Sequence, residues 1–255
     1  MKRLSAHQVR SIQRSAKKGL SINRISRLEG LGKSTVHYWY NKIIKHPKKE
    51  IVINRGSEKR IGEFIGIFAG DGSYCMDNSY KHQIRIHLNA KDQTYVDHVS
   101  ELMTYLFKRK PSAYLNSRYN VTVLRLVSKD ILNFIRQYLS WTGKKTYSVQ
   151  LNSHVSLSKE FIVGFLKGLL DTDGHLNCTK KCARYSTVST ALANDIKSAL
   201  GYVGIRSSDY IGTDKRGNRM PIHRVTIHRD FDKLVSLVHP KHFNYLNESN
   251  SQMPW

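Results

Sequence analysis

Apolar positions recur along the chain at two spacings, and the changes of spacing mark its elements. In residues 5–18, Val9, Ile12 and Ala16 fall three or four apart, which predicts a helix with Ser5 as its cap and Gly19 as its stop. Ser21 opens a second helix with Ile22, Ile25 and Leu28 on one face. The turn Glu29-Gly30-Leu31-Gly32 leads into a third, KSTVHYWYNKII, with Val36, Trp39 or Tyr40, and Ile43 turned to the core. Beyond residue 60 the period drops to two in places. Ile84, Ile86 and Leu88 alternate with Gln83, Arg85, His87 and Asn89, and Val225 and Ile227 alternate with Arg224, Thr226 and His228. Strict alternation predicts strands with one face on helices and one polar face outward.

The long second region repeats itself. FIGIFAGDG at 64–72 matches LKGLLDTDG at 166–174, which places Asp71 and Asp173 102 residues apart. Each copy precedes strand, amphipathic helix, more strand and a closing helix. A duplication of this period implies two similar half-domains about a pseudo-twofold axis. Gly62, Gly66 and Gly70 recur every four residues, as do Gly164, Gly168 and Thr172. Such a flat ridge lets two helix backbones approach closely. Each glycine costs a helix about 1 kcal/mol relative to alanine, which close packing must offset.

Composition sharpens the picture. The chain has 255 residues, 42 Lys and Arg against 19 Asp and Glu, and a formal charge of +23. A balance this basic points to a polyanion, and nucleic acid above all. Residues 1–60 hold 16 basic and 3 acidic residues, so a quarter of the chain carries more than half of the net charge. No apolar run approaches the roughly 18 residues of a membrane span, the N-terminus lacks the apolar segment of a secretory signal, and three cysteines make no disulfide framework. These features predict a cytoplasmic, nucleoid-associated protein without a membrane.

The first three helices form a helix-turn-helix pattern. Lys33, Ser34, Thr35, His37 and Tyr38 are its outward candidates for double-stranded DNA. Residues 1–46 read as this DNA-binding domain, 47–57 as a linker, 58–150 as the first half-domain and 151–255 as the second. The polar strand faces carry side chains that read base edges: Gln83, Arg85, His87 and Asn89 in the first half, Arg184, Arg224, Thr226 and His228 in the second. Lys215, Arg216 and Arg219 form a basic hairpin tip.

Gly72 and Gly174 follow the two acids as helix stop signals. Both carboxylates then sit at helix C-termini, where the helix dipole disfavours them, and close packing of the glycine faces makes them neighbours. Divalent cations between them would resolve both conflicts. Oxygen ligands suggest magnesium, and acids holding metal against a phosphodiester suit in-line hydrolysis. Cys178 and Cys182, with His175 nearby, lack the spacing and the fourth ligand of a zinc site.

The two motifs resemble those of LAGLIDADG homing endonucleases in their single-chain, two-motif form, over about residues 58–246. The resemblance implies an α+β fold of two αββαββα halves with saddle-shaped antiparallel sheets, joined through their motif helices. It implies Asp71 and Asp173 as catalytic metal ligands for Mg2+, with the carbonyls of Gly70 and Thr172 beside them. It also implies a staggered double-strand break at a long site, made by a monomer. The family uses basic or polar residues near the scissile phosphates, and Lys91 and Lys145 are the candidates here. Ser189 takes the position of Lys91 in the second half. The first motif has Ala69 where the second has Asp171. Two other readings stay open: a non-cleaving transcriptional regulator that joins this fold to a helix-turn-helix, and a maturase acting on intron RNA.

Overall fold

A computed structural model describes residues 4–43, 51–77, 81–212 and 220–241. The chain divides into two compact units, residues 1–50 and 51–255.

The first unit consists of α1 (Ala6–Lys17), α2 (Ile22–Glu29) and α3 (Lys33–Ile43). Ser5 and Gln8 close a reciprocal capping box on α1, and Ser21 caps α2. Gly30 takes the left-handed conformation, φ 63°, that ends α2 and turns the chain into α3. Ile12, Ala16, Ile25 and Val36 form the small core, and both Trp39 and Tyr40 pack against it. Ser11 donates to Glu29 at 2.6 Å, tying α1 to the end of α2.

The second unit runs α4 (Glu58–Asp71), β1 (Gly72–Met76), β2 (His82–Asn89), α5 (Gln93–Phe107), β3 (Ser112–Asn116), β4 (Val121–Val127) and α6 (Lys129–Tyr138). A short connection follows through β5 (Leu139–Ser140), α7 (Lys145–Ser148) and β6 (Gln150–Leu151). The order then repeats as α8 (Lys159–Asp173), β7 (Gly174–Asn177), β8 (Cys182–Thr187), α9 (Thr190–Tyr202), β9 (Ser208–Gly212), β10 (Ile222–Ile227) and α10 (Phe231–Val238). The two antiparallel sheets have matching orders, β1-β2-β4-β3 and β7-β8-β10-β9. One apolar core runs through both halves, with Phe64, Phe68, Phe161 and Phe165 of the motif helices buried at its centre. The fold is thus α+β with two αββαββα halves.

Residues 51–57, read from sequence as linker, are held to this unit. Ile51 and Ile53 pack on its core, the Asn54 amide donates to the Leu106 carbonyl at 2.7 Å, and Ser57 caps α4. Only 47–50 remain of the expected linker, and they lie outside the described residues.

The glycine ridge closes α4 on α8. A Cβ on Gly66 would lie 2.3 Å from the Phe165 carbonyl oxygen, and one on Gly168 would lie 2.2 Å from that of Glu63. Neither backbone can yield that space. The stop glycines end both motif helices as expected, through an extended backbone. Gly72 (φ −79°, ψ 146°) and Gly174 (φ −89°, ψ 162°) are extended, not left-handed. Each helix passes straight into a strand, and the glycine is there for room: a Cβ on Gly72 would meet the Phe68 carbonyl at 2.4 Å.

Candidate active site

The crossing of α4 and α8 brings their C-terminal ends together. A Cβ on Gly70 would sit 2.3 Å from Thr172 Oγ1 and 3.2 Å from Asp173 Oδ2, so the carboxylate of one motif overlies the backbone of the other. Burial, and then the charge of Asp173, push the Asp71 carboxyl up to about 6, against the pull of Lys241 and Lys145. Asp173 stands open to solvent on one side. Crowding on its other sides still holds it above the ordinary range, outweighing Lys145.

Lys145 is brought to this point by α7. Its Nζ donates to the carbonyls of Phe68 at 2.7 Å, Ala69 at 2.6 Å and Gly70 at 3.1 Å, capping the C-terminus of α4. Burial lowers the ammonium to about 8, although both carboxylates act to raise it. Lys91 does not join it. It is exposed on the turn after β2, and the lysines acting on Asp71 are Lys145 and Lys241.

Lys241 escaped the sequence reading. Its ammonium lies 3.3 Å from Asp92 and 3.7 Å from the centre of the Tyr95 ring. The duplication could have found it, since it follows Asp173 by 68 residues much as Lys145 follows Asp71 by 74. A buried charge chain leads to it. Glu63 accepts from Lys167 at 2.6 Å and meets His98 at 2.7 Å, Lys167 donates to Asp171 at 2.8 Å, and Asp171 accepts from the Lys241 amide at 2.8 Å. Burial raises the Glu63 carboxyl, but the His98 hydrogen bond and Lys167 outweigh it and leave it lowered. Asp171 is therefore a structural acid, while Ala69 at the matching place in α4 lies in the apolar core.

The strand faces hold most of the expected polar set, with corrections. Arg85 and His87 are half-buried and Asn89 is exposed, and Asn89 accepts from the Lys91 amide at 3.0 Å. Gln83 is buried, 7% exposed, and its amide is spent on Asp77 and Arg85, so it presents no free edge to a base. Gly72 pairs with Ile86, so His87 falls beside Asp71. His87 shares a 2.8 Å hydrogen bond with Ser73, and burial, then Arg85 and Lys145, lower its pKa. Ser189 is 0% exposed and points inward: it caps α9 and donates to the Val149 carbonyl at 2.7 Å. That removes it from any DNA contact. Arg184, Arg224, Thr226 and His228 share one pocket of about 320 Å³ on the second sheet with Ser208 and Tyr210. Lys215, Arg216 and Arg219 lie outside the described residues.

In the N-terminal unit Lys33, Ser34, His37 and Tyr38 are exposed and Thr35 is half-buried, at the start of α3 and along one side of it. Among the described residues no group of three or more His, Cys, Asp or Glu could hold a metal ion. A cation at Asp71 and Asp173 would therefore complete its shell from carbonyls, water and substrate oxygens. No described helix is long and apolar enough to cross a membrane.

Residues 160–237, from α8 into α10, match the family model of the LAGLIDADG-like domain. Among solved structures the chain is similar to I-DmoI in complex with DNA and calcium, with a TM-score of 0.55 and 18% identity over 71% of this chain and 89% of that one. Mesophilic variants of the homing endonuclease I-DmoI give a TM-score of 0.54 and 18% identity, over 71% and 90%. I-DmoI in complex with DNA and manganese gives 0.51 and 18%, over 71% and 96%. At these identities the likeness is one of fold. No curated protein matches the chain in sequence.

Proposed function

We propose that this chain, which has a LAGLIDADG-like domain in its second half and the fold of I-DmoI, is a site-specific, divalent-metal-dependent DNA endonuclease. The observation that carries the reading is the meeting of Asp71 and Asp173 at the ends of two glycine-packed helices, both carboxyls raised above their ordinary range. Two acids pressed together at negative helix ends make sense as a cation site. The donor set fits a hard cation. Asp71 and Asp173 would hold it with the carbonyls of Gly70 and Thr172, and the all-oxygen set favours magnesium. The carbonyls at the end of α4 already attract a cation, since they accept the Lys145 ammonium. When bound, the metal would neutralise charge on the phosphate and lower the pKa of a bound water.

The chain's own residues do the rest. Lys145 brings a positive charge beside both carboxylates, where charge builds on a phosphate under attack. Its lowered pKa also suits it to give a proton to the departing sugar oxygen. In the reaction the water oxygen forms a bond to phosphorus and releases a proton to solvent, the bond to the departing sugar oxygen breaks, and that oxygen takes up a proton from the Lys145 ammonium. Arg85, Arg184 and Arg224 hold the duplex on the two sheets, and α3 adds a separate basic contact. Two half-sites in one chain support a monomer that cuts both strands, leaving staggered ends. Structures of similar fold that carry DNA with calcium or manganese are consistent with this reading.

The test is linearisation of a plasmid library, with magnesium and separately with calcium. Discrete cutting that needs metal and vanishes in Asp71→Asn and Asp173→Asn supports the nuclease, and the ends give the site. Selective binding without cutting under any metal would leave a regulator or an RNA-directed role.

A further inference from the structure

Arg85 is held differently from the other arginines of the two sheets. Its Nε and Nη2 both donate to Gln83 Oε1, at 3.2 and 2.6 Å. Gln83 in turn donates its Nε2 to Asp77 Oδ2 at 3.0 Å. Asp77 is fixed in turn by Lys81, whose amide donates to its carboxylate at 3.0 Å. The second bond sets which way round the buried amide lies, and so aims its oxygen at the guanidinium.

A guanidinium has five N–H donors. The side-on pair is used by Gln83, and the end-on fork, both Nη1 hydrogens and one of Nη2, is left. That fork still presents two parallel donors, the geometry that spans guanine O6 and N7 in the major groove. Arginine side-chain freedom is ordinarily lost on binding, and here the brace has removed part of it beforehand. A second observation points to an electronegative ligand at the same place. Arg125 stands directly across from Arg85 on β4, with its own Nε braced by Ser112 at 3.4 Å. Two guanidiniums on opposed positions destabilise a sheet unless something electronegative lies over them.

The second sheet lacks this arrangement. Arg184 pairs across the strands with His175 and Thr226, the places taken by Ser73 and Arg125 around Arg85. No hydrogen bond braces the Arg184 side chain among the described residues.

We infer that Asp77, Gln83 and Arg85 form a pre-set guanine reader in the first half-site, with Gln83 as its positioning residue. The inference rests on the chain binding duplex DNA as proposed above. Arg85 faces Ser73, two residues beyond Asp71, so the guanine falls within a few base pairs of the bond that Asp71 serves. The second half-site discriminates less at the equivalent position.

The experiment is selection of bound duplexes from a randomised DNA library by the full chain in calcium, followed by affinity for all four bases at each position. The wild type should prefer guanine at one position in the first half-site by about 5- to 150-fold, the range for one bidentate contact. Arg85→Ala should erase that preference and leave the others. Arg85→Lys should keep most of the overall affinity and still lose the guanine, because charge remains and the fork does not. Gln83→Met should cut the preference several-fold while circular dichroism and the rest of the site stay unchanged. A profile that Arg85→Ala does not alter, a different base at the affected position, or full discrimination in Gln83→Met would overturn the reader, as would failure to select any duplex. A guanine preference with no cleavage would retire the nuclease and keep the reader. Cleavage indifferent to Arg85 would do the reverse.

Discussion

Lys145 Nζ lies 2.6 Å from the carbonyl oxygen of Ala69, across 76 residues of sequence. One ammonium thereby caps the first motif helix and stands beside both carboxylates, and burial has brought it down to about 8. Its charge is lost as pH rises through that value. Cleavage should fall above about pH 8, measured as single-turnover rate against pH. Lys145→Met should lose about 10²-fold or more in rate and also lose the alkaline limb. An unchanged limb in that variant would assign the titration to another group.

Asp71 makes the opposite kind of prediction, on stability. Its folded pKa of about 6 lies above the ordinary value of 3.8 that stands for the unfolded chain. Between those values the unfolded chain gives up its proton first, so stability falls as pH rises from about 4 to 6 and stays lower beyond. The cost is at most about 3 kcal/mol, less with partial solvation. In EDTA at about pH 7, Asp71→Asn should therefore be more stable to urea than wild type by about 1–3 kcal/mol. Calcium should stabilise the wild type and do much less for the variant. A variant less stable than wild type in EDTA would contradict the raised carboxyl.

Much of this site was legible in the chain because it rests on periodic features. The duplicated motif located Asp71 and Asp173, the glycine spacing called for the helix crossing, and strict alternation set which strand residues face the core. What was not legible depends on side chains meeting across sequence. Gln83 and Arg85 share a face by alternation, but only the bond to Asp77 turns the Gln83 amide so that its oxygen meets the Arg85 guanidinium. Ser189 matched Lys91 by position, yet a serine ahead of a helix is also a cap, and the packing of Val149 against α9 made it one. Lys241 shows in the sequence only through the duplication, as the counterpart of Lys145, and not through any local periodicity. Asp171 looked like a motif acid and is instead one end of a buried ion chain, whose partners Glu63 and Lys167 belong to different helices.

The helix crossing can be tested by adding single methyl groups. Gly168→Ala would drive a Cβ to 2.2 Å from a backbone carbonyl of α4, and should cost about 3 kcal/mol or more. Gly201 in α9 has nothing within 4 Å of its Cβ position, so Gly201→Ala should stabilise by up to about 1 kcal/mol. Urea unfolding of the two variants side by side measures the contrast. Equal effects would mean that α4 and α8 do not touch through their glycines.

The ion chain should be more sensitive to losing one member than to losing its charges together. Lys167→Met strands two buried carboxylates, Glu63 and Asp171, and should cost about 3–5 kcal/mol near neutral pH. Part of that loss should return as pH falls and the stranded Glu63 carboxyl protonates. A triple variant, Glu63→Gln with Lys167→Met and Asp171→Asn, should recover much of the stability. If the single variant is near wild type, the three groups are not paired in solution.

The N-terminal unit is expected to bear on affinity and not on chemistry. Residues 1–50 carry 13 Lys and Arg against 2 acids, and α3 exposes Lys33, Ser34, His37 and Tyr38. Removing this unit should be done at residue 50, because Ile51, Ile53 and Asn54 belong to the packing of the larger one. The shortened chain should keep its metal-dependent cleavage at raised enzyme concentration and bind its site more weakly. Each phosphate contact contributes about 0.9 to the slope of log affinity against log salt. If α3 and its neighbours make roughly three or four such contacts, the slope should shrink by about 3. Fluorescence anisotropy on one duplex from about 50 to 300 mM salt, roughly the range where counterion release is readable, measures it. A weaker affinity with an unchanged slope would mean that the unit contributes through something other than phosphates. Unchanged affinity and slope together would mean that it does not touch DNA.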